Sequence, residues 1–232
     1  LLEYQSAPED LSVMPYLVID DIDKKADIIE SRMEDGIFYA PAETNGVVYA
    51  ELSFNVDHIA EEDYGYLGLL SDIIGKLDTV NYSFNELPTK IDMYTGGITS
   101  TCSAYYGVDS KTRRVLNVSV KALSQNIDKM IEITDQTVNK MLFGKDDSLK
   151  LIIKDRISKL ENYLTQNGHL AASNRALSHI NPAYKFKDAA TGIDYFKFLR
   201  NTDMNFSGSM GEKLSKLAAS VFSLDNLTIG IS

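Results

Sequence analysis

One short segment comes closest to recognisable chemistry. His58-Ile59-Ala60-Glu61-Glu62 is one substitution away from His-x-x-Glu-His, a spacing that sets two imidazoles on one helical face around a zinc ion with a glutamate base beside them. Glu62 stands where the second histidine would be. A histidine and a glutamate can ligate zinc, but catalysis also needs a third ligand and a base. The location argues against a site. His58 directly follows a strand pattern, and Glu61, Glu62 and Asp63 read as the acidic first turn of a helix, where the helix dipole favours them. The segment is read as capping and solvated surface.

The remaining candidates are thinner. His169, in Asn167-Gly168-His169, and His179 fall toward one side of a helical stretch and read as histidines packed against a neighbouring element, since no carboxylate or thiol has matching spacing. No Gly-x-Ser-x-Gly elbow and no Gly-x-x-x-x-Gly-Lys-Ser/Thr phosphate loop occurs. Ser207-Gly208-Ser209 reads as a helix lead-in. The single cysteine, Cys102, reads as a buried strand thiol that fits a reducing compartment. No catalytic, cofactor-binding or metal-ligating residue is assigned.

Composition narrows the class further. The chain has 232 residues, 44% of them hydrophobic, enough for a sizeable core. Its net charge of -10 repels polyphosphates, and the densest basic run, Lys111 to Arg114, is short, so a nucleic-acid partner is not expected. No apolar run approaches the roughly 20 residues of a membrane span, and no signal peptide is recognised. The chain opens on Leu1 rather than Met and reads as a processed product or an excised piece. The expected compartment is the cytoplasm, or an organelle matrix if the source is eukaryotic.

The elements follow from periodicity. Residues 1–35 read as a lead-in from a preceding linker, with a polar helical stretch from Asp23 to Glu34, and residues 36–232 as a single domain. A first strand covers Ile37 to Ala40. Beyond the Thr44-Asn45-Gly46 turn, Val48, Ala50, Leu52, Phe54 and Val56 alternate with Tyr49, Glu51, Ser53 and Asn55. Tyr66 to Leu77 carries a broad helical stripe. Ser83 and Glu86 have capping-box spacing, and Pro88 suits a first helical turn. Gly96-Gly97 marks the change from helix to strand. Ile98 to Val108 and Leu116 to Ala122 form an antiparallel pair. Helices follow around Ile127 to Leu142, from Asp146 or Asp147 on past Gly168 to a stop at Pro182, at Tyr195 to Arg200 and at Glu212 to Val221. Leu227 to Ile231 closes as a strand. The sum is an α+β fold, an antiparallel sheet with helices packed on one face.

Several segments, in order, carry a resemblance. They are Pro8-Glu9-Asp10-Leu11, Met14-Pro15-Tyr16-Leu17, Asp20-Asp21-Ile22, Thr44 to Tyr49, Tyr94-Thr95-Gly96-Gly97-Ile98, Lys121-Ala122-Leu123 with Asn126 and Lys129-Met130, Glu161-Asn162 with Gly168-His169, and Asn181-Pro182-Ala183. Their order and spacing resemble the third domain of the pitrilysin/insulinase-family zinc metallopeptidases, presequence-protease branch. The resemblance implies a metallopeptidase-like α/β roll, one of four related domains in two halves that enclose a chamber, with the zinc held by the first. The equivalent helix here is Tyr66 to Asp78. The ligand positions fall near Leu69 and Ile73 and the base near Asp72, to within about one residue. Apolar side chains cannot bind zinc, so no catalytic residue carries over.

The function this implies is a non-catalytic, chamber-forming domain of a zinc metalloendopeptidase that degrades peptides. Its partners would be the other domains of that peptidase and the enclosed peptides, with no nucleic acid and no membrane. No cofactor belongs to this segment, and zinc is implied for the parent. The alternatives are a free-standing interaction module or non-catalytic partner subunit, and an autonomous metallopeptidase using His58, Glu61 and Glu62.

Overall fold

The computed structural model describes residues 15–22, 24–25, 30–107, 109–144 and 146–232. Pro8 to Met14 of the resemblance, Val108, and Asp23 with residues 26–29 of the expected lead-in helix lie outside the described residues. Residues 1–30 and 31–232 form separate compact units. Of the first, a single helical turn at Ile19–Asp21 is described, with the Val18 N–H donating to Asp21 Oδ2 at 2.9 Å.

The second unit has the expected α+β fold. Its sheet comprises β1 (Arg32–Glu34), β2 (Ile37–Tyr39), β3 (Val47–Asn55), β4 (Ile98–Tyr106), β5 (Thr112–Leu123) and β6 (Leu227–Ile231). The spatial order is β1-β2-β6-β3-β5-β4. All neighbours run antiparallel except β2 and β6, a parallel pair made when the last strand slots between β2 and β3. The long β3–β5 ladder pairs Val47 with Leu123 through Asn55 with Val115. This register sets Phe54, Leu116, Val118 and Cys102 on one face, where all are buried.

That face carries the helices. Among the described residues these are α1 (Tyr64–Ile73), α2 (Glu86–Tyr94), α3 (Ile127–Asn139), α4 (Asp146–Gln166), α5 (Gly168–Ser178), α6 (Pro182–Thr191), α7 (Ile193–Met204) and α8 (Met210–Val221). The main core joins the sheet to α1, α4, α6, α7 and α8 through Leu67, Leu70, Ile153, Phe186, Leu199 and Leu214. Burying such apolar side chains contributes about 1.5–3 kcal/mol each. Gly68 lets α1 approach closely, since a Cβ there would lie 2.1 Å from the Ala190 carbonyl oxygen.

Several boundaries differ from the sequence reading. Arg32–Glu34 is a strand, not the end of a helix. Asp35 and Gly36 both take positive φ, 51° and 80°, and turn β1 tightly into β2. The charges of Arg32 and Glu34 disguised an edge strand. The stripe expected to run helically to Leu77 leaves the helix at Ile74, where the backbone extends before Gly75 at φ 74°. The long helix expected past Gly168 breaks at Asn167, and Gly168 has open space around it rather than a packed neighbour. Pro182 starts α6 rather than stopping a helix, with Asn181 as the cap: its Oδ1 accepts from the Ala183 N–H at 2.9 Å.

Candidate functional site

α1 is the element to which the resemblance assigns the metal-binding positions. It starts after an acidic helical turn, Glu61–Asp63, and eight of its ten residues are buried, which makes it a core helix rather than a wall of an open site. Leu69 and Ile73 are each 0% exposed within the main core. Asp72 is a quarter-turn away from Ile73, with its side chain 16% exposed. The Tyr195 hydroxyl donates to Asp72 Oδ2 at 2.5 Å, and Arg156 Nε lies 2.9 Å from the same oxygen. The Arg156 Nε contact is close enough for an ion pair but not aligned as a hydrogen bond. Because charge attraction depends on distance more than on angle, the pairing stands.

This cluster holds its protons tightly. Burial pushes the Tyr195 phenol well above its ordinary range, and the neighbouring Asp72 charge adds to the rise. Burial, reinforced by the Asp72 charge, pushes the Cys102 thiol up to about 12. Cys102 is thus the inert buried strand thiol expected from sequence. Ser71 and Ser100 bridge α1 to β4 through hydroxyl oxygens 2.9 Å apart. The cluster joins helix to helix and helix to sheet, and its one carboxylate is matched by a guanidinium.

The histidine candidates lie apart from it. His58 sits in the turn between β3 and the Glu61–Asp63 turn, its Nε2 3.1 Å from Ser220 Oγ. Glu61 pairs with Lys185 and Asp63 with Lys213. His58 and Glu62 therefore share no helical face. His169 and His179 are exposed, not packed as expected, because α5 turns them to the surface. Among the described residues, no group of three His, Cys, Asp or Glu side chains is arranged to hold a metal ion.

The face of the sheet opposite the helices has its own geometry. Tyr49, Glu51, Thr99, Thr101 and Lys121 are exposed on it. A cavity of about 460 Å³ opens over Glu51, Ser119, Thr99 and Gly230, flanked by Phe38 and Tyr49. The register aligns Gly230, Glu51, Ser119 and Thr99 in one row across four strands. The Ser119 hydroxyl donates to Glu51 Oε2 at 3.2 Å. Further along, the Ser53 hydroxyl donates to Asn117 Oδ1 at 2.8 Å, and Asn117 Nδ2 donates to the Tyr105 hydroxyl at 3.2 Å. A second hollow of about 370 Å³ adjoins at Tyr49, Gly96 and Lys121. This surface can exchange hydrogen bonds with a partner's polar groups and stack against its side chains, but it groups no nucleophile with a base.

Comparison with known proteins gives this arrangement a family. The profile described as associated with peptidases of family M16, subfamily C, matches residues 1–201. The chain belongs to this peptidase-associated family. Protein HypA of Clostridium perfringens (strain 13 / Type A) is 33% identical over 242 residues, covering 100% of this chain and 25% of HypA. The mitochondrial presequence protease of Xenopus laevis is 25% identical, covering 100% of the chain and 23% of that protein. Its Drosophila melanogaster counterpart is 26% identical, covering 97% and 22%. This peptidase-associated chain thus spans about a quarter of the length of these relatives. A crystal structure of a conserved protein from Enterococcus faecalis V583 shares the fold, with TM-score 0.57 and 12% identity over 84% of this chain and 46% of that one.

Sequence reasoning found the peptidase-associated fold and the apolar character of α1 but missed the cavity on the bare face. The signal was present in Tyr49, Glu51 and Ser53, whose alternation was read only as the wetter side of a strand. Their neighbours Ser119, Thr99 and Gly230 come from strands whose register no single segment reveals.

Proposed function

We propose that this chain is a non-catalytic domain that helps wall a peptide-degrading chamber in a larger zinc metalloendopeptidase. One observation carries the reading. At the positions where the resemblance puts zinc ligands, Leu69 and Ile73 are core side chains, and Asp72 is committed to Arg156 and Tyr195. These residues do not fit a zinc ion, because apolar side chains offer no donor atom. The parent's zinc and its general base then belong to other domains, and this one contributes shape and surface.

The bare sheet face is the surface we assign to the chamber interior. Glu51, Ser119, Thr99 and Tyr49 offer hydrogen-bonding groups to an unfolded peptide that still has backbone donors and acceptors to satisfy. The coverage of presequence proteases supports peptides as the substrate class and the other domains of the same polypeptide as the partners. No described helix is long and apolar enough to cross a membrane. We assign the parent to the cytoplasm, or to an organelle matrix as in the mitochondrial relatives.

The test is reconstitution. A parent protein lacking this domain should keep its zinc but lose turnover of a fluorogenic peptide. Adding back the purified chain should restore part of it, while adding zinc should not. Full turnover by the shortened parent would overturn the reading.

A further inference from the structure

The helical side of the domain holds a second cavity, remote in character from the bare sheet face. It measures about 270 Å³ and lies between α4, α5 and α6. Leu160, Leu164 and Ile193 give it an apolar lining, and Arg156, Lys159 and Lys187 contribute three cations. We propose that this cavity binds a small organic anion, a carboxylate or phosphate monoester carried on a short apolar body.

The charge balance is the first argument. The whole chain carries -10, with 33 acidic against 23 basic residues, so a cavity with three bases and one acid runs against the background. The one acid, Asp188, is already used. It is 2% exposed, pairs with Arg175, and accepts the Ile193 N–H at 3.0 Å. Its charge is therefore matched from outside the lining.

The state of the three cations is the second. Arg156 is held in place by Asp72 at 2.9 Å, which fixes its guanidinium in advance of any ligand. Lys159 pairs with Asp155 at 2.7 Å on an exposed turn of α4, a contact that a ligand can replace at little cost. Lys187 is exposed and has no ion pair among the described residues. Nearby, Lys76 is held below the ordinary ammonium range, chiefly by burial, with Lys159 and Arg156 pushing the same way against Asp72. The region thus favours an added negative charge.

The apolar lining sets the rest of the ligand. A bare inorganic ion would leave the surface of Leu160, Leu164 and Ile193 unused, whereas a phenyl or short alkyl group would cover it. The volume suits a small body rather than a peptide segment.

Phenyl phosphate, benzoate, inorganic phosphate and benzyl alcohol are the probes. Each is titrated into the isotope-labelled 232-residue chain while amide resonances of α4, α5 and α6 are followed. Saturable shifts with phenyl phosphate or benzoate are expected, weakening as salt screens the charges. Inorganic phosphate and benzyl alcohol should each bind less tightly. Lys187→Ala should weaken phenyl phosphate about threefold to tenfold, the range for one partly exposed charge-assisted contact. Lys90→Ala, on α2, should leave it unchanged. Equal binding of inorganic phosphate, indifference to Lys187→Ala, or no saturable shift with either organic anion would each overturn the proposal. None of these results bears on the chamber reading, which stands or falls with turnover by the parent.

Discussion

Replacing Tyr195 by phenylalanine probes the cluster that occupies the metal-position helix. The substitution removes one oxygen and keeps the buried ring in place beside Phe198. A hydrogen bond to a charged acceptor contributes about 1.5–3 kcal/mol. Asp72 retains Arg156 at 2.9 Å, so its carboxylate is not left unpaired, and the expected loss is at the lower end, about 1.5–2 kcal/mol. For a domain of this size that lowers Tm by about 3–8 °C. The pH dependence has a definite sign. The folded-state pKa of Tyr195 is raised above its ordinary value of 10.0, so its stabilisation is complete below pH 10.0 and is lost as pH climbs toward the folded value. The gap between the native chain and Tyr195→Phe should therefore narrow in alkaline solution. Urea melts at neutral pH and above about pH 10 measure it. Equal midpoints at neutral pH, or a gap that widens with alkali, would refute the assigned hydrogen bond.

Other expectations follow from packing and backbone. Gly68→Ala puts a Cβ 2.1 Å from the Ala190 carbonyl oxygen, so α1 and α6 must separate; a loss of about 1–3 kcal/mol is expected by denaturant titration. Gly97, at φ 105°, ends the turn between α2 and β4, and Gly97→Val should cost about 1 kcal/mol or more by the same measurement. Asn181→Ala removes the α6 cap and should cost about 0.5–2 kcal/mol, with faster hydrogen exchange at Ala183. Cys102 should resist a thiol reagent until the chain unfolds. Because its pKa is raised from 9.0 to about 12, its contribution to stability should be present below pH 9.0 and fade as pH rises toward 12.

Much of the fold was legible because local patterns and global packing agree. The alternation from Val48 to Val56 and the stripe beginning at Tyr66 each bury the side they predict. Gly97 takes the positive φ expected where the period changes. The failures have specific causes. Arg32 and Glu34 carry charge on an edge strand, which hides a period of two. Leu77 stays buried after the chain has left α1, so an apolar stripe outlasts its helix. Pro182 can stop one helix or start another, and Asn181 before it decides for a start. The α1 cluster was only half visible: Leu69, Asp72 and Ile73 could be placed by resemblance, but Arg156 and Tyr195 arrive from α4 and α7. No spacing connects residues that meet across 123 positions, as Tyr195 and Asp72 do. The cavity over Glu51 was hidden for the same reason.

The central claim is that this peptidase-associated domain carries no catalytic centre of its own. Zinc content and fluorogenic-peptide hydrolysis of the purified 232-residue chain, measured together in zinc-containing buffer, test it directly. The account predicts a folded chain with no stoichiometric zinc and no chelator-sensitive cleavage. Stoichiometric zinc with cleavage that His58→Ala abolishes would contradict it and return His58, Glu61 and Glu62 to the centre of the function.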